Sequence, residues 1–198
     1  MFRRWIWLIG PVLVLLAALG HWRYRHWREH RFDAAILTAA QRYGVEPALV
    51  KAVVWRESGF NWRARGRSAE VGLMQVGAAA AKEWAQAEKV VTPASEQLLD
   101  PATNTLAGTW YLGKLLRRYQ KTDGPIAYAL ADYNAGRSNV LRWFKGDAAT
   151  NSASFVRQMD FPGTRKYVLS VMQRYRHYRP VFRAKAQNAA SGQSGSQE

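Results

Sequence analysis

From Asp33 to Tyr178 apolar residues recur at helical spacing, and glycine and proline cut the stretch into helix-length pieces. No run of strictly alternating apolar and polar residues competes with that pattern. The spacing predicts a mainly α fold with at most a small β-hairpin. Asp33 caps a helix carrying Ile36, Leu37, Ala40 and Tyr43, and Gly44 stops it. Pro47 opens the next helix, which runs to about Ser58 before Gly59. Residues 61–71 (NWRARGRSAEV) lack an apolar stripe and read as a loop, the one place for a hairpin. Further helices are expected over 78–88 and from Asp100-Pro101 to about Tyr119, with Leu106, Trp110, Gly113 and Leu116 on one side. Others run from Asp123-Gly124-Pro125 to Ala135-Gly136, over 138–144 and, after a loop, from Thr164 to Tyr178.

The ends differ from this middle. Arg3 and Arg4 precede an uncharged run from Trp5 to Gly20, short of the ~20 residues of a spanning helix. It suits a signal-peptide core with a small-residue site at Ala18-Leu19-Gly20, or a short anchor flanked by Trp5, Trp7, Trp22 and Trp27. Arg23, Arg25, Arg28 and Arg31 follow it and outnumber the basic residues before it, which by a positive-inside count opposes export. The segment 184–198 (AKAQNAASGQSGSQE) is poor in apolar residues and reads as a disordered polar tail. The division is therefore 1–30 as signal or anchor with a basic juxtamembrane part, 31–183 as one domain, and 184–198 as tail. A single core of roughly 150 residues buries enough surface to be stable.

Composition narrows the chemistry. The chain has no cysteine, which excludes disulfides, a lipid-modified N-terminal cysteine, thiolate zinc sites and a thiol nucleophile. The net charge of +15 favours anionic partners such as phospholipid headgroups or an acidic polymer. No nucleic-acid motif accompanies it, so nucleic acid is not expected as a partner.

One carboxylate breaks the apolar pattern. On the 47–58 helix, Val50, Val53 or Val54, and Glu57 fall on one stripe. Burial there disfavours ionisation, and the negative end of the helix dipole acts in the same direction. Both suit a carboxylic acid held protonated as a proton donor. The pattern equally permits a frayed end with Glu57 in solvent beside Arg56 or Arg63.

Short blocks around it carry a resemblance. Glu57-Ser58-Gly59-Phe60, Gly72-Leu73-Met74-Gln75 and Tyr133-Asn134-Ala135-Gly136 resemble, in this order, the signature blocks of the soluble-lytic-transglycosylase (SLT) domain family. Leu98-Leu99-Asp100-Pro101 with Asn104, Gly108 and Tyr111-Leu112 fit the same family, as does the closing segment Phe161-Pro162-Gly163-Thr164-Arg165-Lys166-Tyr167-Val168. The resemblance covers about residues 33–178. It implies a lysozyme-like helical domain that binds peptidoglycan glycan strands and needs no metal or cofactor. Glu57 would protonate the glycosidic oxygen between N-acetylmuramic acid and N-acetylglucosamine. It would then take the proton of the muramic C6 hydroxyl as that hydroxyl closes on C1, leaving a 1,6-anhydromuramoyl end. Tyr133 resembles the tyrosine that orients the glutamate, and Ser58, Met74, Gln75 and Asn134 resemble substrate-binding positions. The expected setting is a monomer in the periplasm, either anchored on the inner membrane by its N-terminal segment or released by signal cleavage.

The chain departs from the family pattern at several positions. Gly66 stands where a serine is frequent, Asp132 where alanine is usual, and Gly77-Ala78 where many members have Met-Pro. Glu70 and Asp132 are the obvious second carboxylates, with Glu70 expected in solvent and Asp132 in a salt bridge. Two carboxylates would suit a goose-type-lysozyme-like hydrolase, and loss of catalysis a wall-binding module. The segment His26-Trp27-Arg28-Glu29-His30 matches a zinc-protease pattern, H-x-x-E-H, but lies among four arginines with no third ligand evident, so no metal is expected.

Overall fold

A computed structural model of the chain describes the backbone of residues 3–194 and the side chains of residues 10–184. Helix α1 spans Arg3–His30, α2 Asp33–Tyr43, α3 Pro47–Ser58, α4 Ala78–Glu88, α5 Pro101–Arg118 and α6 Pro125–Ala135. They are followed by α7 over Arg137–Trp143, α8 over Ser152–Gln158 and α9 over Pro162–Ser194. The turn chemistry explains the boundaries. Gly44 takes a left-handed conformation at φ 65° to close α2, and Pro47 and Pro101 start α3 and α5 in the first turn. Asp100 caps α5 by accepting the Thr103 amide at 2.8 Å.

The core forms where α9 lies along α3 and α6 while α5 packs against α2, α4 and α6. Val50, Val53, Val54, Leu112, Leu130, Val168 and Val171 are fully enclosed there. Because α5 is flanked by three helices, its deepest face is Asn104, Gly108, Thr109, Leu112 and Leu115. The face expected from the sequence is rotated from this one: Gly113 is buried, while Leu106, Trp110 and Leu116 are only partly buried against the core.

The loop 59–77 stays within the expectation of at most a small hairpin: it holds only isolated antiparallel bridges of Val71 to Arg65 and to Val76. Other expectations are changed. The stretch after α7, expected as loop, contains a 3-10 turn at Gly146–Ala149 and helix α8. Asn151 caps α8 by accepting the Ser154 amide at 2.9 Å, and Phe155 is its one buried residue, with Val156 partly buried beside it. Helix α9 starts at Pro162 and continues to Ser194, so the part of the expected polar tail up to that residue is helical; residues 195–198 lie outside the described residues. The expected signal or anchor is one continuous helix, α1, and its side chains before Gly10 lie outside the described residues. No helix among the described residues is long and apolar enough to cross a membrane.

Two residues, Glu29 and His30, tie the end of α1 to the domain. Glu29 accepts a hydrogen bond from the Tyr178 hydroxyl at 2.5 Å, and Lys51, buried on α3, reaches Asp33 at 2.6 Å and His30 at 3.1 Å. Glu29 and His30 of the H-x-x-E-H pattern are thus occupied in joining helices.

Candidate active site

Glu57 sits where the sequence pattern places it, one turn beyond the enclosed Val53 and Val54 on α3. Gly59 then turns the chain out at φ 56°. Ser58 locks this helix end, donating its hydroxyl to the Val54 carbonyl at 3.1 Å and the Leu73 carbonyl at 2.8 Å. The second contact ties the loop bearing Gly72-Leu73-Met74-Gln75 directly to the residue next to Glu57. Ser58, expected to touch substrate, is therefore engaged by backbone.

The Glu57 carboxylate is part-buried and accepts the Tyr167 hydroxyl at 2.6 Å. Burial pushes its pKa up to about 7, and the nearby Glu70 charge adds to the rise. The Tyr167 hydrogen bond and the Arg56 cation oppose it. Arg56 also lies over the Tyr167 ring, 5.4 Å from its centre. Burial and the Glu57 charge keep the Tyr167 phenol well above its usual range, so Tyr167 stays a donor at working pH. The arrangement is a carboxyl poised to give or take a proton near neutrality, with one oxygen oriented by a fixed phenol.

Tyr133 does not make that hydrogen bond. Its hydroxyl donates to the Met74 carbonyl at 2.7 Å, and its ring meets Tyr111 at 5.7 Å. Tyr133 is nonetheless close enough for the Glu57 charge to raise its pKa, after burial the next largest cause. The hydroxyl that reaches Glu57 is that of Tyr167, not of the expected Tyr133, which is bonded to the backbone of Met74.

Met74, expected against substrate, is fully enclosed and lies over Gly108, where an added Cβ would come within 2.7 Å of its side chain. Asn104 organises the same loop from below. Buried, it accepts the Met74 amide at 2.8 Å and donates to the carbonyls of Val71 at 2.8 Å and Leu98 at 2.7 Å. Gly72, at φ 79°, leaves room for it, since a Cβ there would lie 2.2 Å from the Asn104 amide nitrogen. Gln75 is half-buried in a left-handed conformation at φ 48° and donates to the carbonyls of Gly72 and Ala64. Asn134 is exposed in the last turn of α6.

Of the two second-carboxylate candidates, Asp132 is buried in a structural pair, accepting from Arg118 at 2.6 Å and Tyr119 at 2.7 Å. Glu70 departs from expectation: it is half-buried, not solvent-facing, and its charge reaches Glu57. A groove of about 470 Å³ lined by Leu37, Pro47, Ala48 and Phe182 does not include Glu57 and is separate from this site.

The fold and site define a helical domain of lysozyme-like architecture in which the part-buried Glu57 is held with a raised pKa. Residues 34–156 match the family model of the transglycosylase SLT domain, and the chain belongs to that family. It is 31% identical over 174 residues to the membrane-bound lytic murein transglycosylase C of Edwardsiella ictaluri, covering 78% of this chain and 48% of that protein. The protein of the same name from Shigella sonnei is 38% identical over 126 residues, covering 61% of this chain and 35% of the relative. The chain thus spans about half or less of these curated relatives. Among solved structures, an inactive glutamate-to-glutamine mutant of the lytic transglycosylase Slt from Pseudomonas aeruginosa superposes with a TM-score of 0.70. It shares 26% identity over 76% of this chain and 24% of its own. The 70 kDa soluble lytic transglycosylase of Escherichia coli gives 0.69 at 25% identity, over 78% and 26%. Tyr167 lies beyond the residues matched by the family model; the closing segment that resembles the family includes it, but that likeness does not reveal its contact with Glu57.

Proposed function

We propose that the chain is a peptidoglycan lytic transglycosylase cleaving the β-1,4 bond between N-acetylmuramic acid and N-acetylglucosamine. The observation that carries this reading is the Glu57 carboxyl, raised to about 7 and hydrogen-bonded by Tyr167. Protonated Glu57 gives its proton to the glycosidic oxygen as the bond to C1 breaks. The carboxylate left behind is stabilised by the Tyr167 hydroxyl and takes the proton of the muramic C6 hydroxyl as that oxygen bonds to C1. The proton balance closes on one residue, and no water, metal or cofactor enters. Glycosidases of the two-carboxylate kind need a second acid to activate a nucleophile; here the substrate supplies it.

The similar proteins support the same activity by name, and one is inactive with glutamine in place of a glutamate. In this reading Gln75, through its amide oxygen, and the exposed Asn134 offer amides to the saccharide, while Tyr133 acts through the backbone of Met74. The domain works as a monomer at the periplasmic face of the inner membrane, held by α1 or released from it; the membrane-bound relatives support that setting. A hydrolytic alternative draws its support from Glu70 as a second carboxylate. Treating purified sacculi with the wild type and Glu57→Gln and counting glycan ends tests the reading: cleavage retained by the variant refutes it.

A further inference from the structure

Helices α3 and α9 meet along a seam that starts at the active site and leads away from it. Glu57 meets Tyr167, Trp55 meets Arg174 and Lys51 meets Tyr178, so earlier residues of α3 face later residues of α9. Two guanidinium groups lie on aromatic rings along this seam. Arg56 is 5.4 Å from the centre of the Tyr167 ring, and Arg174 is 4.4 Å from that of Trp55 and 5.5 Å from that of Tyr178. Tyr167, Ser170, Arg174 and His177 recur at three- and four-residue steps and share one face of α9. The Ser170 hydroxyl donates to the Tyr167 carbonyl at 2.9 Å. Trp55, Ser170, Gln173, Arg174 and His177 line a cleft of about 380 Å³ between the helices.

The cleft carries positive charge that the fold does not neutralise. Neither Arg56 nor Arg174 pairs with a carboxylate among the described residues. The carboxylates nearest along the seam are engaged elsewhere, Glu29 by Tyr178 and Glu46 by Tyr175 and Arg179. An arginine stacked on an aromatic face keeps its N–H edge for a planar acceptor such as a carboxylate. From Tyr167 to Arg174 the helix rises about 10 Å, which an extended peptide of three or four residues spans at roughly 3.3–3.6 Å each. Peptidoglycan supplies such a chain, because the muramic lactyl group bears a short peptide with free carboxylates. We propose that this cleft is a subsite for the acidic peptide on the muramic acid at the cleaved bond, with the Arg174 guanidinium taking a peptide carboxylate. Arg174 is then a specificity residue that never meets the reacting atoms, and Arg56 adds positive charge between the cleft and Glu57.

This inference rests on peptidoglycan as the substrate, and its test does not require cleavage. Full-length Glu57→Gln, alone and combined with Arg174→Gln or Arg174→Lys, is titrated with soluble glycan strands. One preparation bears tetrapeptides, and the other has been stripped of them by an amidase. Arg56 is left in place because its charge also acts on Glu57. Arg174→Gln is expected to weaken binding of the peptide-bearing strands roughly 10-fold and to leave the stripped strands within about 2-fold. Arg174→Lys falls between, keeping the charge without the planar fork. Free tetrapeptide added to isotope-labelled Glu57→Gln is expected to shift the NMR signals of the Trp55 indole and of the Gln173 and Arg174 amides. Equal losses on both strands, or no loss on either, overturn the subsite, as do tetrapeptide shifts confined to other parts of the domain. Cleavage is assayed separately on the wild type: binding without product refutes the lyase reading and leaves the subsite standing.

Discussion

The Tyr167 hydroxyl donates to Glu57 across 2.6 Å, joining the first turns of α9 to the last turn of α3. In the proposed mechanism this contact fixes one carboxyl oxygen, leaving the other to carry the proton, and stabilises the carboxylate once the proton has left. Tyr167→Phe keeps the buried ring and removes only the donor. Misplacement of a catalytic group by a fraction of an ångström costs up to about 100-fold, so kcat is expected to fall roughly 10- to 100-fold with little change in KM. The alkaline limb moves to higher pH, because the lost bond favoured the charged form. Steady-state kinetics across pH check both; an unchanged profile assigns Tyr167 a packing role only.

Glu57 also sets a pH dependence of stability. Its folded pKa of about 7 exceeds the ordinary carboxyl value of 4.5, so the folded state holds the proton more tightly. That contribution is complete below the unfolded pKa and is lost as pH rises through about 7. Glu57→Gln removes the cost of an ionised, part-buried carboxylate. Urea melts are expected to show the variant ~1–3 kcal/mol more stable than the wild type at pH values above the Glu57 titration, and the gap to close below it. A gap that stays constant with pH contradicts the elevated pKa.

How much of this was legible in the sequence differs residue by residue. The stripe of Val50, Val53, Val54 and Glu57 is a local property of one helix, and the structure keeps it. The partner of Glu57 is not local: Tyr167 lies 110 residues further on, and its periodicity on α9 says only that it is buried. Its meeting with Glu57 depends on how α9 crosses α3. Met74 fits a signature block, yet its side chain turns inward because Gly108 on α5 leaves the space. Glu70 lies in a polar stretch that composition reads as solvated. Its half-burial follows from a loop folded on its own hydrogen bonds and pinned by Ser58 and Asn104. Helix α8 carries one buried anchor, Phe155, too little for an apolar stripe to show.

Asn104 is the keystone of the loop that flanks the site. Asn104→Ala leaves the Met74 amide and the carbonyls of Val71 and Leu98 without their partner, inside the core. Unsatisfied buried groups cost about 1–3 kcal/mol each, partly recovered by relaxation, so a loss of ~2–4 kcal/mol is expected. Urea denaturation measures it, and activity at temperatures where the variant is folded should also fall. A change within ~0.5 kcal/mol, the usual range for surface substitutions, would show that the loop holds without this amide.

Lys51 makes the corresponding joint at the other end of α3. It is 1% exposed, pairs with Asp33 at 2.6 Å, and lies 5.1 Å from the centre of the Tyr178 ring. Removing one partner of a buried ion pair costs roughly 3–5 kcal/mol. Lys51→Ala is expected to destabilise the domain by about that amount, while glycan cleavage by the folded fraction continues, because Glu57 and Tyr167 are untouched. Thermal melts and specific activity corrected for the folded fraction distinguish this from a catalytic role.

The central claim is that Glu57 serves as acid and then as base to the substrate's own C6 hydroxyl. Mass spectrometry of products from purified sacculi tests it most directly. Wild-type digests are expected to yield fragments ending in 1,6-anhydromuramic acid, and Glu57→Gln digests none. Fragments ending in reducing, hydrated muramic acid from the wild type, or anhydromuramoyl products persisting in the variant, would contradict it.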